Sequence, residues 1–199
     1  MRKRLCALMM ILPLLAGCGR GEQSGASSAE ETALSIRTEY LAMTACSATV
    51  ELTADYGQRV YEYTLSLSWE KGGETVLTVL APENIAGVTA RFDGETGYLE
   101  FDGVRLETGT LPGNGLSPME TIPELLDCIC CGYIAQCDFE QTDQTQQLWF
   151  LCRDPDCSPG TGVETALWFD GESHVLTRAE VYSDGYAVLQ CVVTEFTKE

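Results

Sequence analysis

Between Arg59 and Trp69 apolar and polar residues alternate, with Tyr61, Tyr63, Leu65, Leu67 and Trp69 on one side and Glu62, Thr64, Ser66 and Ser68 on the other. A period of two marks a half-buried strand, so this stretch predicts an antiparallel strand with one wet face. Ala48 to Thr53 alternates in the same way. Upstream, Leu34, Ile36, Tyr40, Leu41 and Met43 recur at rough helical spacing and predict a first helix over 31–45. A second helix is predicted over 118–135, where Ser117-Pro118 gives a start signal and Ile122, Leu125, Leu126, Ile129, Tyr133 and Ile134 repeat. Pro123 should bend or delay its first turn, because it lacks an N–H and crowds the preceding carbonyl. Strands resume near 137–142, 147–153, 163–170, 175–183 and 186–196.

Turn chemistry joins these runs into meanders. Asp93-Gly94, Asp102-Gly103, Asp170-Gly171 and Asp184-Gly185 each separate β-prone stretches, and Gly72-Gly73 makes a fifth such point. Asp-Gly tolerates the positive φ angles of a two-residue type I′ hairpin. Runs of strands with two helices on one side predict an α+β domain. Its expected form is a curved antiparallel sheet with the 31–45 and 118–135 helices over its concave face, since the apolar side of the 59–69 strand needs a cover.

The first eighteen residues have a different pattern. Arg2-Lys3-Arg4 precedes an apolar run from Leu5 to Leu15, and Leu15-Ala16-Gly17-Cys18 follows. A basic start, a short apolar core and a small-residue cleavage site make a secretory signal over 1–17, too short for an ordinary membrane span. Leu15, Ala16 and Gly17 before Cys18 resemble a bacterial lipoprotein lipobox, which implies a lipidated Cys18 at the new N-terminus. Two or more acyl chains, at about 0.8 kcal/mol per buried CH₂, suffice for stable anchoring. The implied location is the extracytoplasmic face of the cell membrane. Residues 18–30 then read as anchor and flexible tether, because 19–30 hold no large apolar residue. Residues 31–199 make one domain, long enough for a sizeable core.

Net charge narrows the partners. The whole chain carries −18, and removal of 1–17 takes it to about −21, since all three charges lost are basic. Such a surface is repelled by phosphate backbones and anionic headgroups, which excludes nucleic acid and leaves membrane attachment to the lipid.

Ten cysteines remain to be placed. Cys6 leaves with the signal and Cys18 takes lipid; the other eight allow 105 disulfide pairings, or none if the thiols stay free as small hydrophobes. Cys152 and Cys157 flank the turn-prone Arg-Asp-Pro-Asp and form the expected pair. Cys128-Ile129-Cys130-Cys131 has C-x-x-C spacing, and with Cys137 and His174 it is a candidate zinc or redox site. It lies inside a helix after acidic Asp127, which does not lower a thiol pKa, and zinc sites show two separated ligand pairs. His174, the sole histidine, follows a turn, and no nucleophile-elbow sequence exists to use it. Asp154-Pro155-Asp156 lacks the spacing of a calcium loop. Nothing calls for a metal, a cofactor or a catalytic residue, and a non-enzymatic binding role is expected. Tyr61, Tyr63, Trp69, Trp149, Phe150, Trp168 and Phe169 all fall in predicted strands, mostly as core. If the sheet curls without closing, Tyr61, Tyr63, Leu65, Leu67 and Trp69 are the candidate lining of an apolar cavity.

This order resembles the LolA/LolB/LppX-like superfamily of lipoprotein carriers, including the clostridial germination lipoproteins of the GerS type. The resemblance rests on the helix and long strands over 34–69, and on Thr78-Val79-Leu80-Ala81-Pro82-Glu83-Asn84-Ile85-Ala86-Gly87. It continues through the Phe92-Asp93-Gly94 and Phe101-Asp102-Gly103 turns, the mid-chain helix, and closing strands from Leu167-Trp168-Phe169-Asp170 through Arg178-Ala179-Glu180-Val181-Tyr182 to Phe196. It implies a half-open β-barrel closed by helices that binds lipid or lipoprotein acyl chains, or else docks a cell-envelope or sporulation enzyme without catalysis. Soluble carriers have no anchor, so Cys18 implies an anchored relative. A continuous apolar cavity would favour the lipid ligand and a filled interior the protein partner.

Overall fold

Every second residue of Ala45–Asp55 is buried, from Cys46 through Ala54, as a strand with one face on a core requires. This strand, β1, pairs antiparallel with β2 (Val60–Glu70) on one side and with β11 (Tyr186–Lys198) on the other. The computed structural model describes residues 23–93, 96–109, 115–142 and 145–199. Cys18 and its lipobox, Leu15, Ala16 and Gly17, lie outside these residues, as does Gly94 of the first expected Asp-Gly turn.

Two meanders flank that centre. One runs outward from β2 through β3 (Thr75–Ala81), β4 (Thr89–Asp93) and β5 (Thr96–Phe101) to β6 (Val104–Gly109). The other runs inward from β7 (Ile134–Gln141) through β8 (Gln146–Arg153), β9 (Val163–Asp170) and β10 (Leu176–Ser183) to β11. All described pairings are antiparallel. The sheet order is β6-β5-β4-β3-β2-β1-β11-β10-β9-β8-β7, with β6 and β7 as unpaired edges, so the eleven-stranded sheet does not close.

Helices α1 (Gln23–Ala42) and α2 (Pro118–Cys131) pack on each other and share one core with the inner face of the sheet. On α1 the buried residues include Ala29, Ala33, Ile36 and Tyr40, a stripe repeating every three or four positions that Met43, just past the helix end, continues. The expected architecture of a curved sheet with two helices on one face is therefore present.

Several boundaries differ from expectation. Helix α1 begins at Gln23, so residues 23–30 are helical where a tether was expected. Ala29 is fully buried, and alanine, the strongest helix former, lets a helix approach its neighbours closely without any large apolar side chain. The α1 C-terminus is held by Lys71, whose Nζ donates to the Leu41 carbonyl at 2.8 Å. Helix α2 starts at Pro118 with no delay, carries Pro123 inside it, and ends four residues before Ala135. It stops because Ile134 already pairs with Cys152 as the first residue of β7. Asp102-Gly103 (φ 48° and 76°) and Asp184-Gly185 (φ 49° and 80°) make the expected tight hairpins. Asp170-Gly171 does not: Asp170 Oδ1 accepts the Glu172 and Ser173 N–H groups, and the longer loop takes its left-handed residue at His174 (φ 56°).

Candidate functional site

The expected row along β2 divides. Leu65 and Leu67 are buried in the core and Trp69 packs against it, whereas Tyr61 is exposed and Tyr63 half-buried. Between the sheet and α2, the space bounded by Val50, Leu67, Ile122, Leu126, Cys191 and Phe196 measures about 10 Å³. That holds at most one water. The interior here is filled by side chains, and no acyl chain fits it without repacking. At the end of β2, Tyr56, Tyr61 and Tyr63 form an aromatic ladder with centroids 6.2 and 6.4 Å apart. It is fixed by Tyr56, whose hydroxyl donates to the Leu116 carbonyl at 2.9 Å.

Thiols gather elsewhere. Cys128 and Cys131 from the end of α2, Cys152 from β8 and Cys157 from the following loop line one cavity of about 480 Å³. Glu124, Gly132, Arg153 and Thr165 also line it. All four cysteines are free thiols. The expected partners Cys152 and Cys157 thus border the same space, but the Cys152 thiol lies against Cys128, donating to its carbonyl at 3.9 Å. Gly132 is what lets them meet: a Cβ there would lie 3.0 Å from the Cys128 sulfur and 3.1 Å from that of Cys152. Arg37 of α1 supports the same turn, donating from Nε to the Ile129 carbonyl at 2.9 Å and from Nη2 to that of Gly132 at 2.5 Å.

His174 does not join these cysteines. Its Nδ1 pairs with Glu39 Oε1 at 2.6 Å, and Lys198 Nζ takes Glu39 Oε2 at 2.7 Å, tying α1 to the β9–β10 loop and to β11. Burial acts to raise the Glu39 pKa, but hydrogen bonds and charge from Lys198 and His174 overcome it and hold the carboxyl below the usual range. Among the described residues no three or more His, Cys, Asp or Glu side chains are grouped to hold a metal ion.

The outer face of the sheet carries a feature the pattern did not assign. Trp149 and Trp168 stack on the side opposite Phe150 and Phe169, with centroids 6.5 Å apart; Trp168 is buried there, as expected, and Trp149 half-buried. Strand alternation decides this, since residues 149 and 168 are register partners one step from the buried pair. The Trp168 indole N–H donates to Glu140 at 2.8 Å, and the Arg178 guanidinium lies 4.0 Å over its ring. At the opposite edge β6 is bare: Val104 is 69% and Leu106 63% exposed.

No protein-family model matches the chain, and no curated protein does. Solved structures do. An uncharacterized conserved protein from Thermus thermophilus aligns with a TM-score of 0.53 at 11% identity, over 86% of this chain and 88% of that one. A LolA superfamily protein from Nitrosomonas europaea aligns at 0.43 and 11% identity, over 88% and 94% of the two chains. The Mycobacterium tuberculosis lipoprotein LppX aligns at 0.46 and 12% identity, over 88% and 96%. These likenesses concern the fold alone, which this chain shares over most of its length with the Thermus thermophilus protein.

Proposed function

We propose that this chain is a lipoprotein, anchored through Cys18 at the extracytoplasmic face of the cell membrane, whose domain binds a protein partner without catalysis. The observation that carries this reading is the packing under the middle of α2: the space there is about 10 Å³, and the cavity of about 480 Å³ at the end of α2 is lined by Glu124, Asp127, Arg153, Asp154 and thiols, where an acyl-chain ligand needs a continuous apolar cavity. Ligand contact is thereby directed to the surface. Among the described residues no helix is long and apolar enough to cross a membrane, and the Leu15-Ala16-Gly17-Cys18 sequence supports attachment through lipid. The fold, shared with carrier lipoproteins, accords with a binding role in the envelope.

The edge strand β6 is the contact surface this reading favours. An edge that exposes Val104 and Leu106 beside unpaired backbone groups is a template for an added strand. A net charge of −18 selects a partner with a basic surface and speeds its encounter. The partner is then an envelope protein, and a cell-wall or sporulation enzyme fits that description.

Native mass spectrometry of the detergent-solubilised protein, purified from its own envelope, tests the proposal. A stoichiometric protein partner is the expected result. Bound lipid with no protein would overturn the proposal and return the acyl-chain reading.

A further inference from the structure

Four of the eight cysteines beyond Cys18 come from three separate segments to one cavity. Within that cavity Cys128 and Cys152 are in mutual contact, across the narrow space that only a glycine at position 132 leaves open. Arg153 lines the same cavity with its Nε buried and unpartnered.

We propose that Cys128 and Cys152 are a dithiol that low-molecular-weight disulfides oxidise within this cavity, forming a Cys128–Cys152 disulfide that staples the end of α2 to β8. This inference stands apart from the docking role, which needs no thiol. The order of events follows from the environment of each sulfur. A side-chain hydrogen bond from the Cys128 thiol, opposed by burial and aided by the Arg37 charge, holds the Cys152 thiol below its ordinary pKa. The same hydrogen bond and burial push Cys128 upward. Cys152 Sγ, as the thiolate, attacks one sulfur of R–S–S–R, forming a mixed disulfide and expelling one RS⁻ that takes up the proton Cys152 released. Cys128 then gives up its proton and attacks the Cys152 sulfur, breaking the mixed disulfide and releasing the second thiol. One external disulfide is reduced to two RSH as the dithiol becomes a disulfide, so electrons and protons balance. The cavity, at about 480 Å³, admits a small disulfide to a Cys152 side chain that is only 3% exposed. It is too small for a folded oxidoreductase.

The pairing competes with the sequence expectation of Cys152–Cys157, and peptide mapping separates them. The full-length chain is reduced, freed of reductant, and incubated with 2-hydroxyethyl disulfide. Remaining thiols are alkylated, and the chain is cut after Asp and Glu, which puts Cys128 and Cys152 on different peptides. The expected result is a Cys128–Cys152 cross-linked peptide, unchanged in Cys157→Ser and Cys131→Ser and absent in Cys128→Ser. Closing a loop with a separation of 24 residues should raise Tm by roughly 6–12 °C. A Cys152–Cys157 cross-link, or Cys128 and Cys152 both fully alkylated after treatment, would overturn the proposal. Should Cys128→Ser fail to fold, the wild-type map and the Cys157→Ser map decide alone.

Discussion

Arg37 reaches from α1 to the last turn of α2 and supplies two donors to carbonyls that the helix itself leaves unpaired. Arg37→Met keeps the aliphatic stem but removes both charged hydrogen bonds. It should cost about 1.5–3 kcal/mol of stability in urea unfolding, with an unchanged m-value. Two glutamates give opposite pH signatures. The folded-state pKa of Glu39 is lowered, so its contribution is present above the ordinary Glu value of about 4.3 and disappears as pH falls through the folded value. Partial exposure screens that contribution, and Glu39→Gln should flatten the acid limb of the stability profile only modestly. Glu120 is 6% exposed with Oε2 unpartnered, and burial raises its pKa. The folded state therefore prefers its neutral form, and a penalty grows as pH rises past the unfolded value. Glu120→Gln should be more stable than wild type at pH 7 and close to it near pH 3, where the Glu120 carboxyl is protonated in folded and unfolded states alike; a gain at both pH values would refute the assignment.

At the scale of elements, the two edges of the open sheet differ in their protection. Helix α1 packs against β7, whereas β6 presents Val104 and Leu106 to solvent. Charged side chains blunt such an edge by making an added strand unfavourable. Val104→Lys with Leu106→Lys should leave Tm within about 2 °C of wild type, since exposed positions contribute little to stability. The same pair should abolish co-purification of the protein partner. Retained partner with a lysine-bearing β6 would move the docking surface elsewhere, and the outer Trp149–Trp168 stack would be next to test. Periodicity made β2 legible because alternation is a local property of eleven residues. It failed for the end of α2, where Tyr133 and Ile134 continue the helical pattern but Ile134 is taken by β8, whose partner lies 18 residues further on. It did not say that Trp149 and the buried Trp168 stack on the face opposite the helices, because bulk alone does not say which face of a sheet receives them.

On the scale of the whole molecule, the proposed lipid anchor at Cys18 and the proposed docking edge β6 lie on separate parts of the chain. The chain carries a net charge of −18 and, among the described residues, no helix long and apolar enough to cross a membrane; in the proposed reading the lipid at Cys18 supplies attachment. Cys18→Ser should shift the protein from the membrane fraction to the soluble extract while leaving its far-UV spectrum unchanged. A variant that stays wholly with the membrane would overturn the anchoring proposal. Local chemistry along the chain by itself determined the strand and helix types, the tight turns at Asp102-Gly103 and Asp184-Gly185, and the pairing of helix–meander with helix–meander that produces this fold. Each of those depends on neighbours a few residues apart. Only the tertiary structure decided that the space under the middle of α2 is filled, that Ala29 extends α1 backwards onto the core, and that Cys152 meets Cys128 beside Gly132. These depend on how side chains from distant segments share one volume, and neither spacing nor periodicity encodes a volume.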